Sequence, residues 1–256
     1  MLIAQISDTH ISQPDPGEPD TLERISMLQE FVAYIGEMEE KPDLILHTGD
    51  VSQDGKPEEY DIVKSMLRSI DIPVFFALGN RDLVANLVDG LKDLGQAKLV
   101  DDFLIYSIDG FPVRFIAMDT QKRKYRMGTT CSVRLSILEE LLAEQPDIPT
   151  ALFMHHPPFE VPTSKYPFQF DDPVLADTFL RLVARHKQVV HLFCGHMHRQ
   201  FSAKLENCNA SVSPSLSPCN RLGEYKAEWQ ERPLFQLHRW KPDMLQFETR
   251  LTSVGC

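Results

Sequence analysis

Hydrophobic and polar positions follow two different spacings along this chain. Short continuous apolar runs are typical of buried strands, whereas apolar residues three and four positions apart are typical of amphipathic helices. The apolar runs predict strands at residues 2–7, 43–47, 73–78, 150–154 and 189–194. The helical spacing predicts helices over about 20–40, 57–70, 83–94, 132–144 and 173–186. Because strands and helices alternate, we expect right-handed crossovers and largely parallel sheets.

Two regions depart from this alternation. Residues 103–109 and 112–119 are apolar stretches on either side of a Gly-Phe-Pro turn, which predicts a hairpin. From about residue 200 the chain reads as β-strands joined by turns. We find no internal repeat, so we expect one mixed α/β domain over residues 1–256 that contains two sheets. Its β-rich C-terminal tail could offer a sheet edge for oligomerisation, as a homodimer or a larger assembly.

The composition is that of an ordinary soluble globular protein, since 43% of the 256 residues are hydrophobic and 25% are charged. The N-terminus, MLIAQISDTH, lacks the basic region of a signal peptide, and no apolar window reaches the length of a membrane span. The five cysteines are scattered without CxxC spacing, which favours thiols in a reducing cytoplasm over a disulfide framework. We therefore expect a cytoplasmic location and no membrane contact.

The formal net charge of −11 limits the class of partner. A strongly acidic chain lacks the basic stripe with which proteins hold long nucleic acid. A small anionic substrate stays compatible with this charge, because bound divalent cations can reverse the electric field inside one pocket.

Unusual polar residues follow five of the predicted strands. They are Asp8 and His10, Gly49 and Asp50, Gly79 and Asn80, His155 and His156, and His196 and His198. Each set lies just past the carboxyl end of its strand, where open α/β sheets build their binding sites. Taken alone, an Asp-x-His or a Gly-Asp is most often a turn or a helix cap. All five together, each at a strand end, indicate one shared site that holds metal.

The donor types narrow the choice of metal. Two aspartates, one asparagine and four histidines suit Mn²⁺, Fe or Zn²⁺ rather than a thiolate-bound structural zinc. Seven side chains exceed what one catalytic ion with an open position can use. They suit two ions about 3.5–4 Å apart that share one carboxylate.

These motifs resemble those of a known family. The matching residues are Asp8-x-His10, Gly49-Asp50, Gly79-Asn80-x-Asp82, His155-x-Pro157 and Gly195-His196-x-His198. They resemble the five signatures of the calcineurin-like metallophosphoesterase superfamily, in particular its class III cyclic-nucleotide phosphodiesterase and glycerophosphodiesterase branch. They cover residues 8 to 198, and the tail resembles the family only loosely. The resemblance implies an α/β fold, a four-layer α/β/β/α sandwich with two mixed sheets, and a two-metal centre at one sheet edge.

The resemblance also implies how the ligands divide between two divalent ions, Mn²⁺ or Fe in the first place and Zn²⁺ as an alternative. Asp8, His10 and His198 would hold one ion, Asn80, His155 and His196 would hold the other, and Asp50 would bridge them. The asparagine would give its ion a neutral oxygen ligand, which limits the negative charge that an incoming phosphate meets.

Arg81 departs from the family, in which a histidine usually follows the asparagine and assists at the substrate or the leaving group. An arginine cannot act as a general acid near neutral pH. It can clamp phosphate oxygens and stabilise the charge that develops in the transition state. The alternative is a structural salt bridge from Arg81 to Asp82 or another acid. His156 would either orient a metal ligand or contact the substrate, and we count Arg81 and His156 as candidate catalytic residues.

The implied function is a dinuclear-metal-dependent phosphodiesterase for small diesters, with cyclic nucleotides among the candidates. Hydroxide from a metal-activated water would attack phosphorus in line with the leaving group. The leaving group would take its proton from water or His156, or rely on charge stabilisation by Arg81. A phosphomonoesterase or nucleotidase is the alternative enzyme, because the same centre can serve both reactions. A non-catalytic metal-binding scaffold is the alternative outside enzymes.

The loop at residues 157–170 has no periodicity and is rich in proline and aromatic residues. With Tyr166 and Phe168, it would either wall the pocket or cover the core. Asp54 and Asp82 are candidate partners of the metal ligands. Three further histidines, which lie in or next to strands or near a helix end, are expected to be structural: His47, His186 and His191.

Overall fold

A computed structural model describes residues 1–95, 99–162 and 169–255 of the chain, and this part contains thirteen strands and five α-helices. The strands are β1 (Leu2–Ile6), β2 (Leu44–His47), β3 (Val74–Phe76), β4 (Leu99–Val100), β5 (Phe103–Leu104), β6 (Tyr106–Ile108), β7 (Arg114–Met118), β8 (Thr150–Met154), β9 (Val189–Cys194), β10 (Phe201–Lys204), β11 (Asn209–Val212), β12 (Leu234–Lys241) and β13 (Gln246–Ser253). The helices are α1 (Pro19–Glu37), α2 (Pro57–Leu67), α3 (Val84–Leu91), α4 (Ser132–Glu144) and α5 (Pro173–Arg185). None of these helices is both long and apolar enough to cross a membrane.

The first sheet has the strand order β13-β12-β1-β2-β3. Its parallel register pairs Ile6 with His47 and His47 with Phe76, so the carboxyl ends of β1, β2 and β3 lie side by side. β12 and β13 extend the sheet as antiparallel strands beside β1. The loops that follow β1, β2 and β3 therefore leave the sheet at one edge.

The second sheet has the strand order β10-β11-β9-β8-β7-β6. β7, β8, β9 and β11 run parallel to one another, whereas the edge strands β6 and β10 are antiparallel to the strands beside them. Phe153 lies opposite Phe193 in the register, so β8 and β9 also end close together. Both sheets are mixed, as the resemblance implied.

Alternating side chains divide the second sheet between two apolar cores. Phe115 and Phe153 belong to a core shared with the first sheet and with α1, α2 and α3. Ile116 and Leu152 belong to a core shared with α4 and α5. This follows from the period of two in a strand, which sends successive side chains to opposite faces. The layers are therefore helix, sheet, sheet and helix, which confirms the expected α/β/β/α sandwich.

The β-rich tail completes both sheets. β10 and β11 extend the second sheet beyond β9, and β12 lies between β1 and β13 in the first. The tail thus supplies one edge strand of each sheet, β13 and β10, and the strand next to each edge, β12 and β11. Its part in oligomerisation stays a prediction.

Most predicted elements coincide with the structure, and the differences have local causes. The strand predicted over 73–78 ends at Phe76, because the chain must leave the sheet for Gly79 to approach Asp50 closely. The hairpin is confirmed for β6 and β7, where Tyr106 pairs with Ala117. Its first stretch is broken by a tight turn before β6, and the small pair of β4 and β5 was not predicted.

Candidate metal centre

The five loops predicted to carry the site meet where the two sheets share an edge. Backbone hydrogen bonds tie loops within each sheet, since Asp8 N–H donates to the Gly49 carbonyl at 3.0 Å and Gly195 N–H to the His155 carbonyl at 2.9 Å. A further bond joins the sheets, from His196 N–H to Asp8 Oδ2 at 3.0 Å. All seven predicted ligands are brought together here.

Four of the seven form a first group, which we call the Asp8 cluster: Asp8, His10, Asp50 and His198. His198 Nε2 lies 3.2 Å from Asp8 Oδ1 and 3.2 Å from His10 Nε2. His10 Nε2 lies 3.6 Å from Asp50 Oδ2. Both carboxylates are buried and His198 is partly exposed. Two carboxylates with two imidazoles suit a divalent transition metal.

The remaining three form the Asn80 cluster: Asn80, His155 and His196. Asn80 Oδ1 lies 3.3 Å from His155 Nε2 and 3.1 Å from His196 Nδ1, and the two ring nitrogens are 3.2 Å apart. His155 Nε2 also lies 3.5 Å from Asp50 Oδ2. Asp50 therefore stands between the two clusters.

Hydrogen bonds to the far ring nitrogens aim the near nitrogens at the site. Nδ1–H of His155 donates to the Thr48 carbonyl at 2.8 Å, and Nδ1–H of His198 donates to the Asn220 carbonyl at 2.7 Å. A carbonyl can only accept, so in the neutral rings both Nε2 atoms carry a lone pair that faces the site. Partners of this kind fix the tautomer that metal ligation needs.

Five ligand residues hold a left-handed backbone, which is uncommon for residues with a Cβ. They are Asp8 (φ 52°), His10 (φ 47°), Asp50 (φ 51°), His196 (φ 68°) and His198 (φ 53°). Each such conformation costs roughly 1–3 kcal/mol, and such strain concentrates at functional sites. The surrounding sheets must hold these five residues in place.

Two motif glycines allow the loops to approach each other. A Cβ added to Gly195 would lie 2.0 Å from Ser7 Oγ and 2.8 Å from the Thr48 carbonyl oxygen. A Cβ added to Gly79 would lie 2.0 Å from the Asp50 backbone nitrogen. Glycine is therefore required at both positions by the close packing of backbone against backbone.

The buried charges shift each other's pKa values. Burial raises the pKa of Asp8, but His198 and His155 outweigh it and hold that pKa well below its ordinary range. Burial also raises the pKa of Asp50, but His155 outweighs this effect and holds that pKa below its ordinary range as well. Burial lowers the pKa of His155, but Asp50 and Asp8 outweigh it and raise that pKa to about 9. The site thus keeps two carboxylates charged and favours positive charge between them.

An independent observation shows that the residues fit a bound cation. Oδ1 of Asp8 is buried and accepts no hydrogen bond from the described residues, although buried carboxylate oxygens normally have a partner. Nitrogens of His10, His155 and His198 converge on this oxygen within 3.2 to 3.9 Å. Burial lowers the pKa of His10 to about 4 and that of His196 to about 3, so both rings are neutral, as ligation requires.

Arg81 lies beside the Asn80 cluster with its guanidinium uncommitted. Its backbone N–H donates to Asp50 Oδ1 at 2.7 Å. The alternative salt bridge to Asp82 is absent: that carboxylate is 1% exposed and accepts hydrogen bonds from three backbone amides and the Tyr60 hydroxyl. Within the described ranges the guanidinium forms no ion pair, and Arg81 lines a cavity of about 380 Å³ together with Asn80.

His156 is buried with both ring nitrogens occupied. Nε2–H donates to the Arg126 carbonyl at 2.9 Å, so Nδ1 accepts from the Thr120 hydroxyl at 2.9 Å. Its ring packs against His196 with centroids 4.4 Å apart. This geometry favours the orienting role over contact with the substrate, and a direct catalytic role for His156 stays a prediction.

The two acids proposed as partners of the ligands behave differently. Asp82 fastens the loops after β2 and β3 through its hydrogen bonds to Val51, Ser52 and Gly79 amides. The prediction for Asp54 is wrong, because its side chain is exposed and pairs with Lys56 at 2.7 Å.

Sequence reasoning missed three supporting residues. Gln53 Oε1 lies 3.0 Å from His10 Nδ1, and the Asn220 carbonyl accepts from His198. Gln121 Nε2 donates to the Gly79 and Asp82 carbonyls at 2.7 and 2.8 Å. A backbone acceptor or an isolated amide leaves no motif in a sequence, so no signal was available for these contacts.

The loop predicted to be near the pocket is described only at its ends. Phe159 and Val161 belong to the core beneath α4 and α5, so this end of the 157–170 loop covers the core. Tyr166 and Phe168 lie outside the described residues.

Two histidines assigned to structure lie inside the sheets. His47 Nε2 lies 2.9 Å from the Thr9 hydroxyl, and His191 Nε2 lies 3.0 Å from the Ser211 hydroxyl. His186 lies at the end of α5, outside both clusters.

Comparison with known proteins agrees with this geometry. A profile of the calcineurin-like phosphoesterase family matches residues 1–200. A probable glycerophosphodiester phosphodiesterase GpdQ of Arcobacter nitrofigilis is 30% identical over 246 residues, which cover 94% of this chain and 89% of the relative. A 3′,5′-cyclic-nucleotide phosphodiesterase of Nostoc sp. is 30% identical over 243 residues, which cover 92% of this chain and 86% of the relative. The solved structure of a dimetal phosphatase from Danio rerio has a TM-score of 0.73 at 13% identity, covering 99% of this chain and 95% of that one, and shows the same fold.

Two clusters of Asp, Asn and His side chains at the shared edge of an α/β/β/α sandwich define a phosphoric ester hydrolase with a candidate dinuclear site. The chain belongs to the calcineurin-like phosphoesterase family. The expected family, branch, fold and enzyme class are confirmed.

Proposed function

We propose that this chain is a dinuclear-metal-dependent phosphodiesterase that acts on small diesters. The observation that carries the proposal is the position of Asp50, whose Oδ2 lies 3.6 Å from His10 Nε2 and 3.5 Å from His155 Nε2. This position supports a role for Asp50 as a ligand shared by two ions. The names of the relatives, glycerophosphodiester and cyclic-nucleotide phosphodiesterases, support a diester as the substrate.

The Asp8 cluster would hold one ion, the Asn80 cluster would hold the other, and Asp50 would be shared. When bound, the two ions would polarise the phosphoryl oxygens and lower the pKa of the attacking water. Oxygen and imidazole donors without thiolate suit Mn²⁺ or Fe, with Zn²⁺ as the alternative. The neutral amide of Asn80 keeps the negative charge of its cluster low, which favours the approach of an anionic phosphate.

Arg81 supplies the fixed positive charge next to the reacting phosphate. Its backbone N–H donates to Asp50 Oδ1, and the residue lines the adjoining cavity. A guanidinium can hold phosphate oxygens through two parallel hydrogen bonds and stabilise charge on the leaving oxygen. It does not donate a proton, so this chain stabilises the leaving group by charge and leaves protonation to water.

His156 and Asp82 act as positioning residues. His156, held at both nitrogens by Thr120 and Arg126, packs against His196 and sets the angle of that ring. Asp82 holds the loop that presents Asn80.

A turnover panel tests the function. Metal-stripped protein refilled with Mn²⁺ should hydrolyse bis(p-nitrophenyl) phosphate well above p-nitrophenyl phosphate, and Asp50→Ala should remove about 10³-fold or more of that activity. The 2′,3′- and 3′,5′-cyclic nucleotides extend the panel to the substrates of the named relatives. Preference for the monoester would identify a phosphatase instead. Absence of turnover with Mn²⁺, Fe and Zn²⁺ would sink the enzyme proposal and leave a metal-binding scaffold.

We further infer a cytoplasmic enzyme whose edge strands could support a homo-oligomer. Four cysteines in the described ranges are free: Cys131, Cys194, Cys208 and Cys219. Unpaired thiols support a reducing compartment.

A further inference from the structure

The cavity beside the Asn80 cluster has two chemically different walls. Leu83, which is 54% exposed, and the first turn of α3 form an apolar wall. Arg81, Arg123 and Lys124 line the same cavity, and we call these three residues the basic pocket. One cavity of about 380 Å³ thus offers an apolar face and concentrated positive charge.

The three cations of the basic pocket do not pair with acids of the protein in the described part of the chain. As far as the structure describes the chain, none of the three side chains forms an ion pair or a hydrogen bond. The neighbouring Lys122 differs, because its ammonium pairs with Asp171. Arg123 and Lys124 are exposed and free to meet a ligand. Three cations without an ion pair thus line one cavity of a chain whose net charge is −11.

The acid in the cavity lining does not cancel this charge. Asp82 is 1% exposed, and its carboxylate is taken up by backbone amides and the Tyr60 hydroxyl. Asp101, Asp102 and Asp119 line a neighbouring cavity that Arg123 also borders, so of the three cations Arg81 and Lys124 face this cavity alone.

The basic pocket is also fastened to the metal centre. Gln121 Nε2 donates to the carbonyls of Gly79 and Asp82, which bracket Asn80 and Arg81. This joins the loop that carries Arg123 and Lys124 to the loop that carries the predicted ligand. The cavity is therefore held at a fixed position relative to the Asn80 cluster.

We propose that Arg123 and Lys124 of the basic pocket bind a second anionic group of the substrate, a phosphate or a carboxylate on the organic part attached to the scissile phosphate, while Arg81 faces the scissile phosphate itself. The proposal rests on the proposed diesterase function and names its substrate class. The apolar wall contacts the organic part, and the cations select for the added negative charge. The chain thus discriminates in favour of diesters with an anionic tail and against those with a cationic one.

A series of p-nitrophenyl phosphodiesters tests this selection. All share the leaving group and the same alkyl tail, which ends in a methyl, a trimethylammonium, a carboxylate or a phosphonate. We expect kcat/KM for the anionic tails to exceed that for the methyl tail by at least about fivefold at low ionic strength, and the trimethylammonium tail to be poorest. Added salt should reduce the preference, because these charges are exposed. The carboxylate and phosphonate arms show which anion is favoured.

A charge-matched pair of variants locates the effect. Arg123→Gln combined with Lys124→Gln should reduce the ratio of anionic-tail to methyl-tail kcat/KM by about fivefold. Lys41→Gln combined with Lys187→Gln is the control, because it changes the net charge equally at exposed positions before β2 and β9, at the opposite sheet edge. The control should keep the full ratio.

The possible results distinguish a failure of the proposed anion preference from a failure of the proposed diesterase activity. If the methyl-tail diester is hydrolysed and the anionic tails are not preferred, the proposed role of the basic pocket is wrong and the diesterase proposal stands. The same holds if the preference survives in the pocket variant or falls equally in the control. No turnover of any ester, including bis(p-nitrophenyl) phosphate, overturns the diesterase and the inference with it.

Discussion

At the scale of single residues, surroundings decide what an aspartate does in this protein. Asp8 and Asp50 face imidazoles, which outweigh burial and hold both carboxylates ionised. Asp82 is equally buried but faces amides and a hydroxyl, and burial raises its pKa to about 6. The first two are suited to hold cations, whereas the third organises loops.

A substitution at Arg81 tests how the leaving group is stabilised. Because a guanidinium stabilises charge without donating a proton, we expect good leaving groups to be favoured. Arg81→His restores a possible proton donor, so kcat/KM for an alkyl diester should rise relative to bis(p-nitrophenyl) phosphate by roughly tenfold or more. The measurement is the ratio of the two kcat/KM values.

Arg81→Lys is the matched control, since it keeps the positive charge and should leave that ratio close to the wild-type value. Equal changes for both substrates in Arg81→His would show that Arg81 does not act at the leaving group.

At the scale of elements, the site depends on close contact between loops, which is possible because glycines at the contact points have no Cβ. Parallel strands β1, β2 and β3 end in register, and β8 and β9 end beside them. Gly195 then packs against Ser7 and Thr48 of the opposite sheet. Loop contacts of this kind hold the five left-handed residues that carry ligands.

Gly195→Ala should therefore damage both stability and metal binding. The added methyl group would overlap Ser7 Oγ at 2.0 Å and the Thr48 carbonyl at 2.8 Å. We expect a loss of about 1–3 kcal/mol in the free energy of unfolding and at least tenfold weaker metal binding. Urea unfolding and metal titration would measure the two effects.

Gly36→Ala is a suitable control, because Gly36 lies inside α1 and its added Cβ would only reach Ile70 Cγ2 at 3.8 Å. This change should be neutral or stabilise by up to about 1 kcal/mol. A fully metallated and stable Gly195→Ala protein would contradict the close-packing argument.

At the scale of the whole molecule, the two sheets face each other across a core that contains buried histidines. His191 in β9 and His238 in β12 have ring centroids 5.9 Å apart, with Phe193 and Phe247 packed around them. Burial lowers the pKa of His191 from 6.5 to about 3 and that of His238 well below its ordinary value. The folded protein therefore keeps both rings neutral.

This predicts acid destabilisation with a definite sign. Between pH 6.5 and 3 the unfolded chain binds a proton at His191 that the folded chain excludes. The free energy of unfolding should therefore fall as the pH falls through this window, by up to about 1.4 kcal/mol per pH unit for this histidine. His191→Gln should make the pH dependence shallower by that amount in urea unfolding.

His186→Gln provides the comparison, because His186 lies at the end of α5 outside the sheets. This change removes a histidine without altering the core between the sheets. If His191→Gln and wild type lose stability in parallel on acidification, the sheet interface does not exclude the proton.

The sequence by itself determined the local elements and the chemical identity of the site. Apolar runs and helical spacing predicted α4, β8 and β9 to the residue or nearly so, because burial patterns are local properties of the chain. The motifs also identified the seven side chains that converge, because ligand types at strand ends are visible in one dimension.

Only the tertiary structure decided what depends on distant residues meeting. Asp54 and Gln53 are neighbours in sequence. The fold exposes Asp54, whereas Gln53 Oε1 lies 3.0 Å from His10 Nδ1. The Asn220 carbonyl that orients His198 comes from the tail, which had matched the family only loosely. The basic pocket likewise joins residues 81 and 123–124, because Gln121 ties their loops together. Such contacts follow from how two sheets share an edge, and no local pattern encodes that geometry.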